Sequence, residues 1–354
     1  MKDKRIGIIG GGLCGLTTAY LLKKKNINAT IVEAQNRLGG RIHTKYSDYE
    51  APIELGATWL GKKHKHLTAL LSELGLDIYE QYMGEYAVYE PISTSPPQLV
   101  TMPYNPDPTF RIKGGSSALI NALTSELEVS NIHLNTPVST IKMRSEKIIV
   151  ESKKQTFDFD FLISTLPPKL LIEAIETVPK LPDELIQIAQ QTQTWMSESI
   201  KVALSYDQPF WRRGKAIGSI FSNTGLISEM YDHSNFEETK FALKGFIHGG
   251  YAFTTLEERR KRVIEQLRKY FGNQVENYIS YQEKVWRHEP FTHSDYDGFV
   301  LPHQNNGHSI YNSEFLNGKL LIGGSETATR YPGYMDGAVE SGITLAYKTK
   351  KALA

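Results

Sequence analysis

Residues 5–34, RIGIIGGGLCGLTTAYLLKKKNINATIVEA, leave the chain few ways to fold. Residues 5–9 form a short apolar run that reads as a buried strand. Glycines at 10, 12 and 15 follow in the spacing G-x-G-x-x-G. Apolar residues at 13, 16, 19 and 22 then recur at the helical period, and residues 29–34 return to a strand pattern. Strand, glycine turn, helix and strand make a βαβ unit with parallel strands and a right-handed crossover. Gly10 permits the tight turn, Gly12 lets backbone approach a pyrophosphate, and Gly15 lets the helix pack closely on the strand. Leu13 and Cys14 open the helix, whose free N–H groups and positive dipole end suit phosphate. Glu33 closes the second strand, where a carboxylate accepts from ribose hydroxyls. A glycine turn that only joined strand to helix would account for Gly10, but not for all three spacings together with Glu33. The same glycines break up what could pass for a secretory h-region after MKDKR, and no small-residue cleavage site follows.

The remaining segments read as a large α/β chain. Helices are expected over 66–75, 114–127, 183–193, 255–272 and 335–350. Strands are expected in the alternating stretch 133–168, over 199–211, in YISYQEKVW and in KLLIGG. Residues 76–110 hold a six-proline stretch and are expected to be loop or edge strand. At 354 residues, the chain is long enough for two domains.

Forty basic residues face thirty-nine acidic ones, so no global field attracts nucleic acid or an anionic membrane. The local basic cluster KKHKH, 62–66, reads as a solvated loop or helix start. No run of eighteen apolar residues occurs, which argues against a membrane span. Cys14 is the only cysteine, so an intrachain disulfide is excluded and a reducing, cytoplasmic setting is expected. His43, His248, His288 and His293 form no metal spacing, and no metal is expected. No serine–histidine–acid set has supporting context, so hydrolase chemistry is disfavoured.

Directly after the ribose acid comes EAQNRLGGRIHT, residues 33–44, with R-x-G-G-R at 37–41. Arg41 offers a planar, permanently charged fork for phosphate, whereas surface salt bridging is a credible role for Arg37. This extension resembles the glycine–arginine stretch of FAD-binding amine oxidases. Further segments then resemble the flavin amine oxidase family, which includes the monoamine oxidases, in family order from the first strand to the last helix. They are ELGATWLG (54–61), TPVSTI (136–141), LISTLPP (162–168), SIKVALSYDQPFW (199–211), EERRKRVIEQLRKYFG (257–272) and SETATRYPGYMDGAVESG (325–342).

The resemblance implies an α/β fold. A discontinuous FAD-binding, Rossmann-like domain of the GR2 type would comprise 1–75, 111–170 and 287–354. A smaller α+β substrate domain would comprise 76–110 and 171–286. It implies FAD contacts at Gly56, Ala57, Thr58, Val138, Trp286, Ser325, Glu326, Gly333, Tyr334 and Met335, beside Gly10, Gly12, Leu13, Cys14, Gly15, Glu33 and Arg41. Glu326 would reach the ribityl–pyrophosphate region, and the helix from Met335 would aim its positive end at the flavin. Tyr296 and Tyr334 would form a paired aromatic slot for the amine, with Trp59 and Trp286 as cavity walls. Tyr331 either lines that cavity or packs beneath it. Lys201 corresponds to the family lysine that holds a water against flavin N5. On alternation alone, Lys201 could equally face solvent while Ile200 and Val202 face the core; an inward lysine would be desolvated and its pKa lowered.

Departures from the family pattern matter. Asp295 stands where some members tether flavin through cysteine, which implies non-covalent FAD. The long helical insertion of the monoamine oxidases is replaced by 76–110, so part of the usual lid is missing. Thr58 and Trp59 occupy the region where the L-amino acid oxidase branch carries an arginine for the substrate carboxylate. The resulting expectation is FAD-dependent oxidation of a primary or secondary amine to an imine, with O2 giving hydrogen peroxide. Expected partners are a small-molecule amine and O2, with no nucleic acid and no membrane; a homodimer is the assembly considered. A related flavin oxidoreductase acting on a C–C bond or NAD(P)H, and a flavin-binding protein without turnover, are the alternatives.

Overall fold

A computed structural model of the protein describes residues 4–353. Three sheets organise it. The first has six strands in the order Glu314–Phe315, Leu320–Ile322, Phe161–Ser164, Ile6–Ile9, Ala29–Val32 and Ile132–His133. Its pairings are parallel apart from the outermost pair at 314–322. Ile6 lies opposite both Phe161 and Ala29, and the strand Ile6–Ile9 is fully buried. Parallel strands covered on both faces need such continuous apolar runs.

Helix Leu13–Lys23 follows the glycine turn and packs against the last helix, Met335–Ala352. At Gly342, a side chain would press on Thr17 and on the Cys14 carbonyl at 3.0 Å. Asp336, in the first turn of the last helix, accepts from the Leu67 backbone N–H at 2.8 Å, at the start of helix Lys65–Glu73. The two ends of the described chain are thereby locked into one core.

A second sheet has seven strands in the order Ser280–Val285, Ile200–Tyr206, Phe241–Ile247, Ile227–Asp232, Ile217–Ser222, Tyr86–Glu90 and Gln98–Thr101. Helix Leu256–Phe271 packs on it, begun by Thr255, whose hydroxyl accepts from the Glu258 N–H, and ended at Gly272. A third, four-stranded sheet spans 138–159 and 176–178.

One expectation is sharpened. Residues 76–110 are mostly irregular chain with three short strands; Gln98–Thr101, within the proline-rich stretch, is an edge strand as expected, whereas Tyr86–Glu90 lies inside the seven-stranded sheet, parallel to Ile217–Ser222. The prolines punctuate rather than occupy these strands, with Pro91 just after one and Pro97 just before the next. The three strands between 217 and 247 were not anticipated.

Candidate active site

One hollow of about 570 Å³ runs between the sheets. Its wall begins at the glycine turn with Gly10, Gly12, Leu13, Cys14 and Glu33, and includes Arg41, Gly56, Ala57, Thr58 and Val138. It also includes Trp59, Lys201, Trp286, Ser325, Gly333, Tyr334 and Met335. Gly15, Glu326 and Tyr296 stand off the wall.

At the glycine end, Gly15 is held close because a Cβ there would collide with the Gly10 carbonyl oxygen. Gly12 caps the first helix in extended conformation with no side-chain cap, so the first N–H groups of that helix are left for a ligand. Glu33 accepts from the Gly11 N–H at 2.6 Å and the Gln35 N–H at 2.8 Å. Burial nonetheless pushes its carboxyl up from the ordinary value. Arg37 is no surface ion-pair residue: it clamps the second glycine turn through the Gly40, Ile42 and Leu38 carbonyls at 2.8, 3.0 and 3.2 Å.

Arg41 lies on the wall and is held from behind. Glu326, with 0% exposure, accepts from Nη1 and Nη2 of Arg41 at 2.6 and 2.9 Å, and the Ser325 hydroxyl accepts at 2.9 Å. The resemblance implied that Glu326 reaches the ribityl–pyrophosphate region; instead it stands behind Arg41 and off the wall of the hollow. Both carboxylate oxygens are spent on fixing the arginine.

The strand Ile200–Tyr206 resolves the two readings of Lys201. Ile200, Val202 and Leu204 face the core beneath helix Leu256–Phe271, while the opposite face is covered by residues 51–55. Neither face meets solvent, so Lys201 is buried and lines the hollow. Its Nζ donates to the Gly56 carbonyl and to Thr58 Oγ1 at 3.3 Å. Burial lowers its pKa to about 8. Cys14 moves the other way: burial pushes its thiol up to about 12, so it stays protonated.

The aromatic end differs from the paired tyrosines expected. Tyr334 lines the hollow, but its near-parallel neighbours are Trp195, at 6.2 Å between ring centroids, and His303, at 6.1 Å. Gly333 is required here: its φ is 83°, and a Cβ would come within 2.6 Å of Trp195 Cβ. Tyr296 instead accepts from the Thr194 N–H at 2.8 Å and donates to the Thr192 carbonyl at 3.0 Å. It pins the segment that carries Trp195 because both backbone groups of that turn need partners. Tyr331 packs edge-on against His64 at 4.6 Å rather than on the wall.

Trp195, Phe246 and Glu229 line the hollow without having been anticipated. Only Trp195 carried a usable signal, being one of four tryptophans and close ahead of the Lys201 strand.

The family profile described as flavin containing amine oxidoreductase matches residues 13–94 and 93–348, and the chain belongs to that family. It is a flavoprotein oxidoreductase of the amine oxidase class. Among curated relatives, a probable flavin-containing monoamine oxidase A of Dictyostelium discoideum is 24% identical, over 98% of this chain and 97% of the relative. The flavin-containing amine oxidase A of Equus caballus is also 24% identical, over 98% and 85%. Among solved structures, a putrescine oxidase bound to putrescine superposes with a TM-score of 0.84 at 22% identity, over 98% of this chain and 99% of that one. Cyclohexylamine oxidase from Brevibacterium oxydans gives 0.85 at 17%, over 99% and 100%. These two share the fold. Among the described residues, no helix is long and apolar enough to cross a membrane.

Proposed function

We propose that the chain oxidises a primary or secondary amine to an imine, with O2 reduced to hydrogen peroxide, using non-covalently held FAD. The observation carrying this reading is the one continuous hollow whose wall bears both the glycine turn and the Lys201–Trp59–Tyr334 cluster. The residues present suit the cofactor: an uncapped helix start and Gly12 for phosphate, Glu33 for ribose, Val138 for adenine, and Arg41 fixed by Glu326. When bound, the flavin supplies the two-electron acceptor for the C–H bond next to nitrogen.

The protein's own groups then position and polarise. Trp195 and Tyr334 orient the amine by their ring faces. Lys201 presents a proton-bearing amine to the hollow. The positive end of helix Met335–Ala352 favours negative charge beside Tyr334 and Met335. Glu229, the acid on the wall away from Glu33, suits a cationic amine, in keeping with a fold relative described as bound to putrescine. The division into a flavin domain (1–75, 111–170, 287–354) and a substrate domain (76–110, 171–286), the cytoplasmic setting and the homodimer belong to the same proposal.

Anaerobic addition of a panel of amines is expected to bleach the flavin band of the purified protein. Bleaching by NADPH and by no amine would favour the related oxidoreductase; bleaching by neither would leave a flavin binder without turnover. A second expectation concerns the aromatic wall. Trp195→Ala should raise KM for a reactive amine ~10-fold, equivalent to about 1.4 kcal/mol. Tyr296→Phe keeps the ring and loosens the 192–194 segment by about 1 kcal/mol. Steady-state kinetics on both variants check this; a larger KM effect from Tyr296→Phe would return that residue to the substrate slot.

A further inference from the structure

The antiparallel register of Ile200–Tyr206 with Phe241–Ile247 sets Lys201 opposite Phe246 and Ala203 opposite Lys244. Opposed residues share a face, so Lys201 and Lys244 are diagonal neighbours, flanked by the small Ala203 and by Phe246, whose ring centroid lies 4.8 and 5.0 Å from their Nζ atoms. Lys244 has 0% exposure. Its Nζ donates to Thr58 Oγ1 at 3.0 Å and lies 3.8 Å from the Trp59 ring centroid. Lys201 donates to that same Oγ1, whose own proton goes to the Gly56 carbonyl at 3.1 Å. One hydroxyl thus receives two lysines.

Every charged or titratable neighbour is otherwise engaged. Glu54 accepts from Thr44 Oγ1 at 3.1 Å and from the Ser116 N–H. Arg111 donates to the Ser234 carbonyl at 2.9 Å and faces His233. His233 Nε2 accepts from the Glu54 N–H at 3.3 Å. Glu229 accepts from the Tyr231 hydroxyl at 2.7 Å. Lys284, opposite Lys201 on the far strand, pairs with Glu289. Among the described residues, neither Lys201 nor Lys244 has a carboxylate in contact.

We propose that Lys244 is a positioning residue for Lys201: a neutral amine that, joined to it through Thr58 Oγ1, forms a dyad holding one proton on the Lys201 side. Two ammonium groups on one buried hydroxyl, without a counter-ion in contact, would repel. Burial first, and Lys201 second, hold the Lys244 pKa well below the ordinary value. Thr58 and the Trp59 ring take the two N–H groups of the neutral amine, which leaves its lone pair open toward Lys201. That lone pair favours the charged form of Lys201, in line with the direction of the Lys244 contribution.

This rests on the reading of Lys201 as the lysine facing flavin, so the test reads ionisation and not turnover. Flavin-loaded protein labelled with 13Cε-lysine is titrated by NMR, with resonances assigned from Lys201→Met and Lys244→Met. Lys244 is expected to be neutral at pH 7, and Lys201 to titrate near 8. In Lys244→Met the Lys201 midpoint should fall by about one pH unit, and Lys244→Gln, which keeps an acceptor, should restore much of it. The pH profile of flavin reoxidation should move with it. A charged Lys244 at pH 7 in the unsubstituted protein overturns the proposal, whether or not the variants fold. So does a Lys201 midpoint that stays put or rises in Lys244→Met. If the NMR shifts appear but the pH profile does not follow, the dyad stands and the role given to Lys201 fails.

Discussion

Lys201→Met is expected to make the protein harder to unfold at neutral pH and about 10²-fold slower to have its flavin reoxidised by O2. The stability half follows from proton linkage. Lys201 ionises near 10.5 in the unfolded chain and near 8 in the fold. Between those values the unfolded state binds more protons, so stability rises with pH. Below about pH 8 the whole cost of burying the ammonium is present, and the gap of about 2.5 pH units corresponds to roughly 3 kcal/mol. Methionine removes that cost. It also removes hydrogen bonds to Gly56 and Thr58, at about 1 kcal/mol each. The net gain is therefore about 1 kcal/mol at pH 7; it vanishes near pH 9 and turns into a net loss of about 1 kcal/mol by pH 10. Urea melts across pH on both proteins, with stopped-flow oxygen mixing, check the pair of effects. A variant with unchanged reoxidation and an unchanged pH slope of stability would remove Lys201 from the site.

The second large effect concerns Arg41 and Glu326. Glu326→Ala and Arg41→Ala each leave a charge without its partner, at a cost of roughly 3 kcal/mol. Arg41 is partly exposed and can recruit water, so the loss of arginine, which strands the fully buried carboxylate, should be the worse of the two. The pair Arg41→Met with Glu326→Leu replaces the ion pair by apolar volume and should recover most of the stability. It should not recover flavin. Urea midpoints together with the flavin-to-protein absorbance ratio separate the two outcomes. A double variant that regains full flavin content would show that Arg41 matters only to the fold.

The nucleotide half of the molecule was legible because its chemistry is local. Gly10, Gly12, Gly15 and Glu33 act through backbone geometry within one βαβ unit, and their spacing is the signal. The strand of Lys201 was legible as a strand, but not its orientation. Alternation says which residues share a face; it does not say that both faces are covered, and here residues 51–55 cover the second one. Glu326 and Tyr296 show the same limit. Each sits where the pattern puts it, yet each serves a neighbour instead of the cavity, Glu326 by holding Arg41 and Tyr296 by pinning the Trp195 segment. Lys244 gave no sign at all in its strand FALKGFI, because its meaning arises from register with another strand.

The contact of Gly342 with the first helix has a consequence for biosynthesis. The glycine turn is translated well before the last helix, so its own helix finds this packing partner only after residues 335–346 have been translated. Until then the apolar side of Leu13–Lys23 lacks its cover, and the wall formed by Ser325, Gly333 and Tyr334 does not exist. Cofactor loading is therefore a late event, and a nascent chain arrested before residue 325 should emerge colourless.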